Sequence, residues 1–309
     1  MTKRDFLTTG DVSAAEWQAL IRQAAAYKRN RRLDRGRLSG KTVALVFQKP
    51  SMRTRAAFEV AVTHLGGSVM SLGKDEIQLG YREPVKDAAR VLSRYVDAIV
   101  VRTFAHRDAE EFAAYSTVPV INGLSDLHHP CQALADWLTI QEHFGRLKGL
   151  QVAYVGDGNN VLHSLVEGAC ALGVSVRVAT PKGYEPDAAI WRRASSRMPK
   201  GSSLSLGHDP AAAVRGADVV YTDVWVSMGQ ELERQKRLRA FAGFQVNDAL
   251  LSRAKPGCRV LHCLPAHRDE EITNAVMEGR RSLVFDQAEN RLHAHKAILA
   301  LLLAKGKNR

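Results

Sequence analysis

The stretch Thr42-Val43-Ala44-Leu45-Val46-Phe47-Gln48-Lys49-Pro50-Ser51-Met52-Arg53-Thr54-Arg55 decides how the chain is read. Its first six residues form a short apolar run, the signature of a strand buried on both faces. Pro50 breaks that strand, Ser51 is placed to cap a helix, and the residues from Arg53 to Leu65 continue as a helix that Gly66-Gly67 stops. A strand that feeds straight into a helix leaves free N–H groups and the positive dipole end above the sheet, which is how a phosphate is held. Ser51 and Thr54 add hydroxyls, and an arginine adds a fork that matches phosphate oxygens. Arg53 and Arg55 lie two apart, about 200° around a helix, so both cannot face one ligand. Arg53 is therefore assigned to the phosphate and Arg55 to an ion pair with Glu59. A capped helix with solvated arginines is the competing reading of this segment taken alone.

Working outward, the same alternation of short apolar runs and helical segments continues along the chain, which is the pattern of βα units around parallel sheets. Strands are expected at 68–72, 97–102, 118–121, 151–155, 174–179, 217–221, 259–262 and 282–285. Helices are expected at 85–94, 130–144, 160–172 and 288–304. Ahead of them, Ser13-Ala14-Ala15-Glu16 is a capping box, and Trp17, Leu20, Ile21 and Ala24 follow at helical spacing. The expected fold is α/β: two doubly wound parallel-sheet domains, 1–149 and 150–309. They are joined by a short basic linker at 145–149, and the second is closed by the helix 288–304. The cleft between two such domains is the expected active site.

Length agrees, since 309 residues exceed one common domain. The charge, 44 basic against 32 acidic residues and +12 overall, points to anionic partners: nucleic acid, an acidic membrane face or a phosphate-bearing substrate. The basic run Lys28, Arg29, Arg31, Arg32, Arg35, Arg37 and Lys41 has no interleaved aromatic beyond Tyr27, so it reads as solvated surface and not as a nucleic-acid patch. Hydrophobic content of 45% excludes a disordered or collagen-like chain. Cys131, Cys170, Cys258 and Cys263 are too scattered for a disulfide framework and contain no C-x-x-C pair, which suits a reducing cytoplasm. The first ten residues carry no apolar signal, and no apolar stretch reaches the roughly 18–20 residues a membrane span needs. Neither membrane nor nucleic acid is expected as a partner.

Four further segments carry chemistry. His128-His129-Pro130-Cys131-Gln132 precedes a helix, so His129 and Gln132 sit at its N-terminus, where a histidine can donate to a carbonyl oxygen gaining charge. A satisfied structural histidine is the alternative. A metal held by His128, His129 and Cys131 is poorly served, because neighbours at that spacing rarely converge. Gly156-Asp157-Gly158-Asn159-Asn160 follows a strand as a dinucleotide turn does, but Val161 replaces the third glycine, which weakens a nicotinamide reading. Asn160 is suited to a carboxylate or amine, and a plain tight turn is equally fair. Asp223-Val224-Trp225-Val226-Ser227-Met228-Gly229-Gln230 offers a carboxylate for an ammonium, a hydroxyl and a turn, against a bland loop. His262-Cys263-Leu264-Pro265-Ala266-His267 reads either as a nucleophilic cysteine with a histidine base or as a buried, inert thiol. His293 and His295, two apart on a helix, are read as surface and not as metal ligands.

In this order S-x-R-T-R, H-P-C-Q, G-D-G-N-N, D-x-W-x-S-M-G and H-C-L-P resemble the aspartate/ornithine carbamoyltransferase family. The fourth resembles its ornithine branch, and Glu289-Asn290-Arg291 extends the likeness to the closing helix. The resemblance implies transfer of the carbamoyl group of carbamoyl phosphate to the δ-amine of L-ornithine, giving L-citrulline and phosphate in arginine metabolism. Acceptors such as putrescine, N-acetylornithine or aspartate are the alternative. It implies no cofactor, no metal, and a homotrimer with shared active sites. It places Ser51, Met52, Arg53, Thr54 and Arg102 on the phosphate, and His129 and Gln132 on the carbamoyl group. Gln78, in the loop 74–82, reaches a neighbouring subunit's site. Asn160, Asp223, Ser227 and Met228 bind ornithine, Cys263 and Leu264 lie near the amine and carbamoyl groups, and Arg291 is the last ligand contact. Catalysis falls to Arg53, Arg102, His129, Asp223 and Cys263. Met52 departs from the family's more usual threonine and Ala57 from its serine; the first removes a hydroxyl and keeps the backbone N–H.

Overall fold

The computed structural model describes residues 3–79 and 81–303. Two parallel sheets result from the apolar runs. In the first, β1 (Thr42–Phe47), β2 (Ser68–Leu72), β3 (Ala98–Arg102) and β4 (Val120–Leu124) lie in the order β2-β1-β3-β4. In the second, β5 (Gln151–Val155), β6 (Ser175–Ala179), β7 (Leu204–Gly207), β8 (Val219–Thr222) and β9 (Arg259–His262) lie in the order β7-β6-β5-β8-β9. Each chain segment enters at an interior strand and winds outward both ways, so the strand order reverses between β1 and β3 and again between β5 and β8. Open parallel sheets bind ligands at such reversals, beyond the strands' C-terminal ends. The first core gathers Val46, Ile99, Val101, Phe112 and Val120, and the second Val155, Val220, Phe241, Val260 and Ile272.

The compact units depart from the expected boundary at 149/150. One unit runs to Leu138 and resumes at Glu289, and the other is Thr139–Ala288. These divisions fall inside the helices Pro130–Phe144 and Val284–Leu302. The closing helix packs on the first unit because its side chains find partners there. The His295 ring stacks on Phe58 at 3.7 Å, and Lys296 Nζ sits 4.3 Å above the Tyr27 ring while donating to the Arg31 carbonyl. The basic run, read as solvated surface, is part of this joint. Lys28 donates to Asn290, Arg31 pairs with Glu289 at 3.1 Å, and Arg37 donates to the Ala300 carbonyl. Arg29, Arg32 and Arg35 remain exposed.

Two further expectations are corrected. His293 and His295 are fully buried, His295 against the Phe58 ring. The strand at 282–285 reduces to one bridge between Ser282 and Val260, after which Val284 begins the closing helix. Ala304, given to that helix from the sequence, lies outside the described residues. Ser13 caps the first helix, Ala14–Arg29, through the reciprocal bonds with Glu16 that the capping box predicts. Among the described residues no helix is long and apolar enough to cross a membrane.

Candidate active site

In the first unit, Ser51 caps the helix Met52–His64 by accepting from the Thr54 N–H at 3.3 Å. The N–H groups of Met52 and Arg53 donate to no group among the described residues, as befits the open first turn of a helix. The loop from β1 is lashed to the end of β3: Gln48 N–H donates to the Arg102 carbonyl at 2.9 Å, and Phe104 N–H donates to Gln48 Oε1 at 2.8 Å. This brings Arg102 to the cap. Its Nη1 lies 3.5 Å from Thr54 Oγ1, and Arg291 Nη2, arriving on the closing helix, lies 2.5 Å from the same oxygen. Thr54, read as offering a hydroxyl to the ligand, is fully buried and accepts from both arginines and from Ser51. The Met52 side chain is 76% exposed, which leaves its N–H as its contribution to the helix start. Arg55 pairs with Glu59 at 2.9 Å, as its position two residues from Arg53 requires.

His129 follows β4, and its carbonyl accepts from the Gln132 and Ala133 N–H groups where Pro130 opens the helix. Its imidazole is held neutral, with a pKa well below the ordinary histidine value. Burial is the first cause, followed by the charges of Arg291, Arg102, His295 and Arg53. Gln132 Nε2 donates to Asp136 Oδ1 at 2.8 Å, so its buried Oε1 faces the other way as an acceptor. Asp136, which sets this orientation, lies four residues on, one helical turn, and drew no attention in the sequence. Lys49 is 7% exposed with Nζ 4.4 Å above the Phe104 ring. Gln78 ends the short helix Lys74–Ile77 in a left-handed conformation and is exposed, its Nε2 3.4 Å from the Asp75 carbonyl.

In the second unit the turn after β5 is capped by Asn159, not by Asn160. Asn159 Oδ1 accepts from the Val161 and Leu162 N–H groups, and its Nδ2 donates to Asp223 Oδ2 at 2.7 Å. The signal was present, since asparagine just before a helix is a preferred cap. Cys263 Sγ donates to Asp223 Oδ1 at 3.0 Å, so both oxygens of this buried carboxylate are oriented. Asn160 stands on the first turn beside them, half-buried. Asp157 pairs with the buried Arg237 at 3.1 Å, and burial pushes its carboxyl up to about 6 against the opposing pull of Arg237. Arg237 Nη1 also donates to the Trp225 carbonyl at 2.9 Å, which anchors the loop that presents Ser227 and Met228. In that loop Ser227 N–H donates to Gln230 Oε1, and Met228 is 45% exposed.

Three sequence readings are resolved by this geometry. A Cβ on Gly158 would lie 2.3 Å from the Glu185–Pro186 backbone, so that glycine serves chain packing and leaves no room for a pyrophosphate. His262 cannot serve Cys263 as a base. Its Nε2 is 3.0 Å from Glu271 Oε1, and its Nδ1 accepts from the Leu264 N–H at 2.9 Å. The same bonds occupy the ring in the trio Asp223, His262 and Cys263, whose potential ligand atoms lie within 4.8 Å of one another. His128, His129 and Cys131 form no such group among the described residues.

The chain was compared with known proteins. Residues 4–142 match the carbamoyl-P binding domain of the aspartate/ornithine carbamoyltransferases, and residues 148–302 match their Asp/Orn binding domain. The anabolic ornithine carbamoyltransferase of Pyrococcus furiosus is 52% identical over 303 residues, covering 97% of this chain and 96% of that one. The ornithine carbamoyltransferase of Bacillus subtilis is 51% identical over 306 residues, covering 99% and 95%. The solved ornithine carbamoyltransferase of P. furiosus superposes with a TM-score of 0.95 at 52% identity over 99% of both chains. The ornithine transcarbamoylase of Giardia lamblia does so with 0.90 at 34% identity over 99% and 100%. Matched along nearly its whole length, the chain belongs to the aspartate/ornithine carbamoyltransferase family.

Proposed function

We propose that this chain transfers the carbamoyl group of carbamoyl phosphate to the δ-amine of L-ornithine, releasing L-citrulline and phosphate. The observation that carries it is a pair of oppositely charged ligand sets, each at a strand-order reversal. Arg53, Arg102 and Arg291 gather around the Ser51–Thr54 cap in one unit, and Asp223, Asn159 and Cys263 gather in the other. Arginines and open helix N–H groups suit a phosphate, and an oriented carboxylate suits an ammonium. Whole-length relatives named for ornithine favour that acceptor over aspartate.

In the reaction the δ-nitrogen attacks the carbonyl carbon and forms the new C–N bond. The tetrahedral intermediate then breaks its C–O bond, and phosphate leaves with the electron pair. Neutral His129 donates to the carbonyl oxygen as charge builds there, while Gln132 Oε1 accepts from the carbamoyl NH2. Arg53 and Arg102, with the N–H groups of the Ser51 turn, take the charge of the departing phosphate, and Arg291 completes the set. An amine with a pKa near that of lysine, about 10.4, must first lose a proton. Asp223 and Cys263 orient or deprotonate it, Cys263 is not a nucleophile, the proton that the nitrogen sheds after attack leaves on the departing phosphate, and Asn160, Ser227 and Met228 hold the amino-acid end. Leu264 lies beside the reacting groups. Citrulline formation, assayed with ornithine beside aspartate, putrescine and N-acetylornithine, is expected to favour ornithine; preference for another amine overturns the assignment. Stable radiolabel on Cys263 after incubation with labelled carbamoyl phosphate would overturn the direct attack.

Beyond this we infer a homotrimer in which Gln78 of one copy serves another's site, a role that its exposure at the end of the helix Lys74–Ile77 suits. Light scattering of the purified chain tests the assembly. The four free cysteines suit a reducing cytoplasm, and the anabolic relative suits a role in arginine synthesis.

A further inference from the structure

The turn that presents Cys263 and Leu264 is held from behind by two side chains that no substrate can reach. His262 ends β9 and Glu271 lies nine residues on, both 0% exposed. A backbone N–H only donates, so the bond from Leu264 N–H to His262 Nδ1 at 2.9 Å requires a lone pair on that nitrogen. The ring proton is then on Nε2, which donates to Glu271 Oε1 at 3.0 Å. The same oxygen accepts the His267 N–H at 2.6 Å, so the carboxylate ties both ends of the segment 262–267. On the other side, His262 N–H donates to Gln287 Oε1 at 2.9 Å, and Gln287 Nε2 donates to the Tyr221 hydroxyl on β8 at 3.0 Å. Cys263 thus stands between two backbone N–H groups that are each fixed by a buried side chain.

Leu264 gives this bracing its purpose. Its φ of +57° lies in the left-handed region, which is unfavourable for a residue with a Cβ and persists only where the surroundings impose it. The bond to His262 Nδ1 holds the peptide N–H that enters this residue. In the other tautomer a ring N–H would face the Leu264 N–H, and the turn would be pushed open.

We propose that His262 and Glu271 are positioning residues for carbamoyl transfer. Glu271 selects the Nε2–H tautomer of His262, and His262 holds Leu264 in its left-handed conformation. Together they set Cys263 at its 3.0 Å approach to Asp223. The inference rests on the carbamoyl-transfer reading for its kinetic consequences, though not for the bonds themselves.

The test compares substitutions that keep one ring nitrogen's function and lose the other's. In His262→Asn the amide oxygen stands near Nδ1 and keeps an acceptor for Leu264, whereas His262→Gln keeps only a group near Nε2. His262→Asn is expected within roughly tenfold of the parent kcat and His262→Gln down about 100-fold, the size of loss that small misplacement of a reacting group produces. Glu271→Ala is expected to lose on the order of 10–100-fold, and Glu271→Gln, which keeps an oxygen for Nε2–H, to recover most of it. In every variant the KM for carbamoyl phosphate should stay within about twofold while kcat and the ornithine KM move.

Two readouts need no turnover. Nitrogen-15 spectra of histidine-labelled protein should show His262 as the Nε2–H tautomer, and Glu271→Ala should mix in the other. Iodoacetamide should alkylate Cys263 selectively, because burial pushes the Cys131 and Cys170 thiols up to about 12 and that of Cys258 up to about 11. His262→Gln should change that rate more than His262→Asn. A parent spectrum showing Nδ1–H or imidazolium overturns the proposal, as do equal losses in the two His262 variants with an unchanged alkylation rate. If Glu271→Ala does not fold, the parent spectrum and the His262 pair still decide. If the parent makes no citrulline the functional reading falls, and the spectra and alkylation judge the bracing separately.

Discussion

The first unit presents open helix N–H groups and three arginines; the second spends its helix N-terminus internally and presents a carboxylate. Both begin with the same parallel-sheet geometry, a strand whose C-terminal end turns into a helix beside a strand-order reversal. At Ser51 the cap satisfies Thr54 N–H and leaves the earlier N–H groups open. At Asn159 the side-chain oxygen takes two helix N–H groups at once, and its amide turns to Asp223. One cap leaves the dipole end available and the other closes it, so two similar folds present opposite charge beyond their strand ends. The choice of cap residue therefore belongs to the chemistry as much as to helix stability.

The strongest way to break this contrast is to remove a cation from the first unit. Arg53→Ala or Arg102→Ala is expected to lower kcat/KM for carbamoyl phosphate by roughly 10²–10³, the loss seen when a preorganised charge donor is deleted. The ornithine KM should change by less than about threefold; if both substrates suffer alike in steady-state kinetics, the separation of roles is wrong. The mirror experiment, Asp223→Asn, leaves the shape and removes the charge. A charge-assisted bond of about 1.5–3 kcal/mol corresponds to roughly 10–150-fold, and the loss should fall on ornithine. Carbamoyl-phosphate binding measured by calorimetry should persist, and its disappearance would sink the assignment.

These two sets were not equally legible in the sequence. In the arginine set only Arg53 has a local signal, because Pro50, Ser51 and Arg53 put strand break, cap and first helical turn within four residues; Arg102 and Arg291 reach Thr54 across 48 and 237 positions. The same locality made the strands β1, β3 and β5 readable as apolar runs. β7 was missed because its burial is partial, leaving no apolar run to mark it. The acidic set depends on contacts across 64 and 40 positions, Asn159 to Asp223 and Cys263 to Asp223, which no spacing rule announces. Likewise the placement of the closing helix depends on side-chain partners such as Phe58 for His295 and Tyr27 for Lys296. Periodicity finds the helix, but only packing says which unit receives it.

The contrast extends to pH. In the first unit His129 and His295 are kept neutral chiefly by burial, and His293 is lowered to about 4 for the same reason. Because the folded pKa lies below the unfolded value near 6.5, the unfolded chain takes up protons that the folded one refuses. Each such histidine therefore removes about 1.4 kcal/mol of stability per pH unit as pH falls below that value. In the second unit Asp157 has the opposite sign. Its folded pKa of about 6 exceeds its unfolded 3.8, so the folded state gains the proton first and its contribution rises as pH falls through 6. Hydrogen exchange between pH 7 and 5 should show protection of β1 and β3 falling faster than that of β5 and β8. Equal loss in both sheets would remove these groups as the cause.

The smallest expected effect is the most discriminating for the sequence argument, because it concerns the arginine two residues from Arg53. Arg55 carries the same charge on the same helix, yet the 200° turn between them sends it to Glu59 at 2.9 Å on an exposed face, where Ser71 Oγ also donates to that carboxylate. An exposed i,i+4 pair contributes about 0.3–0.5 kcal/mol, so Arg55→Ala should shift the denaturant midpoint by that little and leave both substrate KM values unchanged. If Arg55→Ala instead weakened carbamoyl phosphate as Arg53→Ala does, helix phase would not be what selects the phosphate ligand. The charge of the whole segment would then be acting as a field. The pair of variants separates those two explanations, since they remove equal charge from positions two residues apart and differ only in the direction the helix points them.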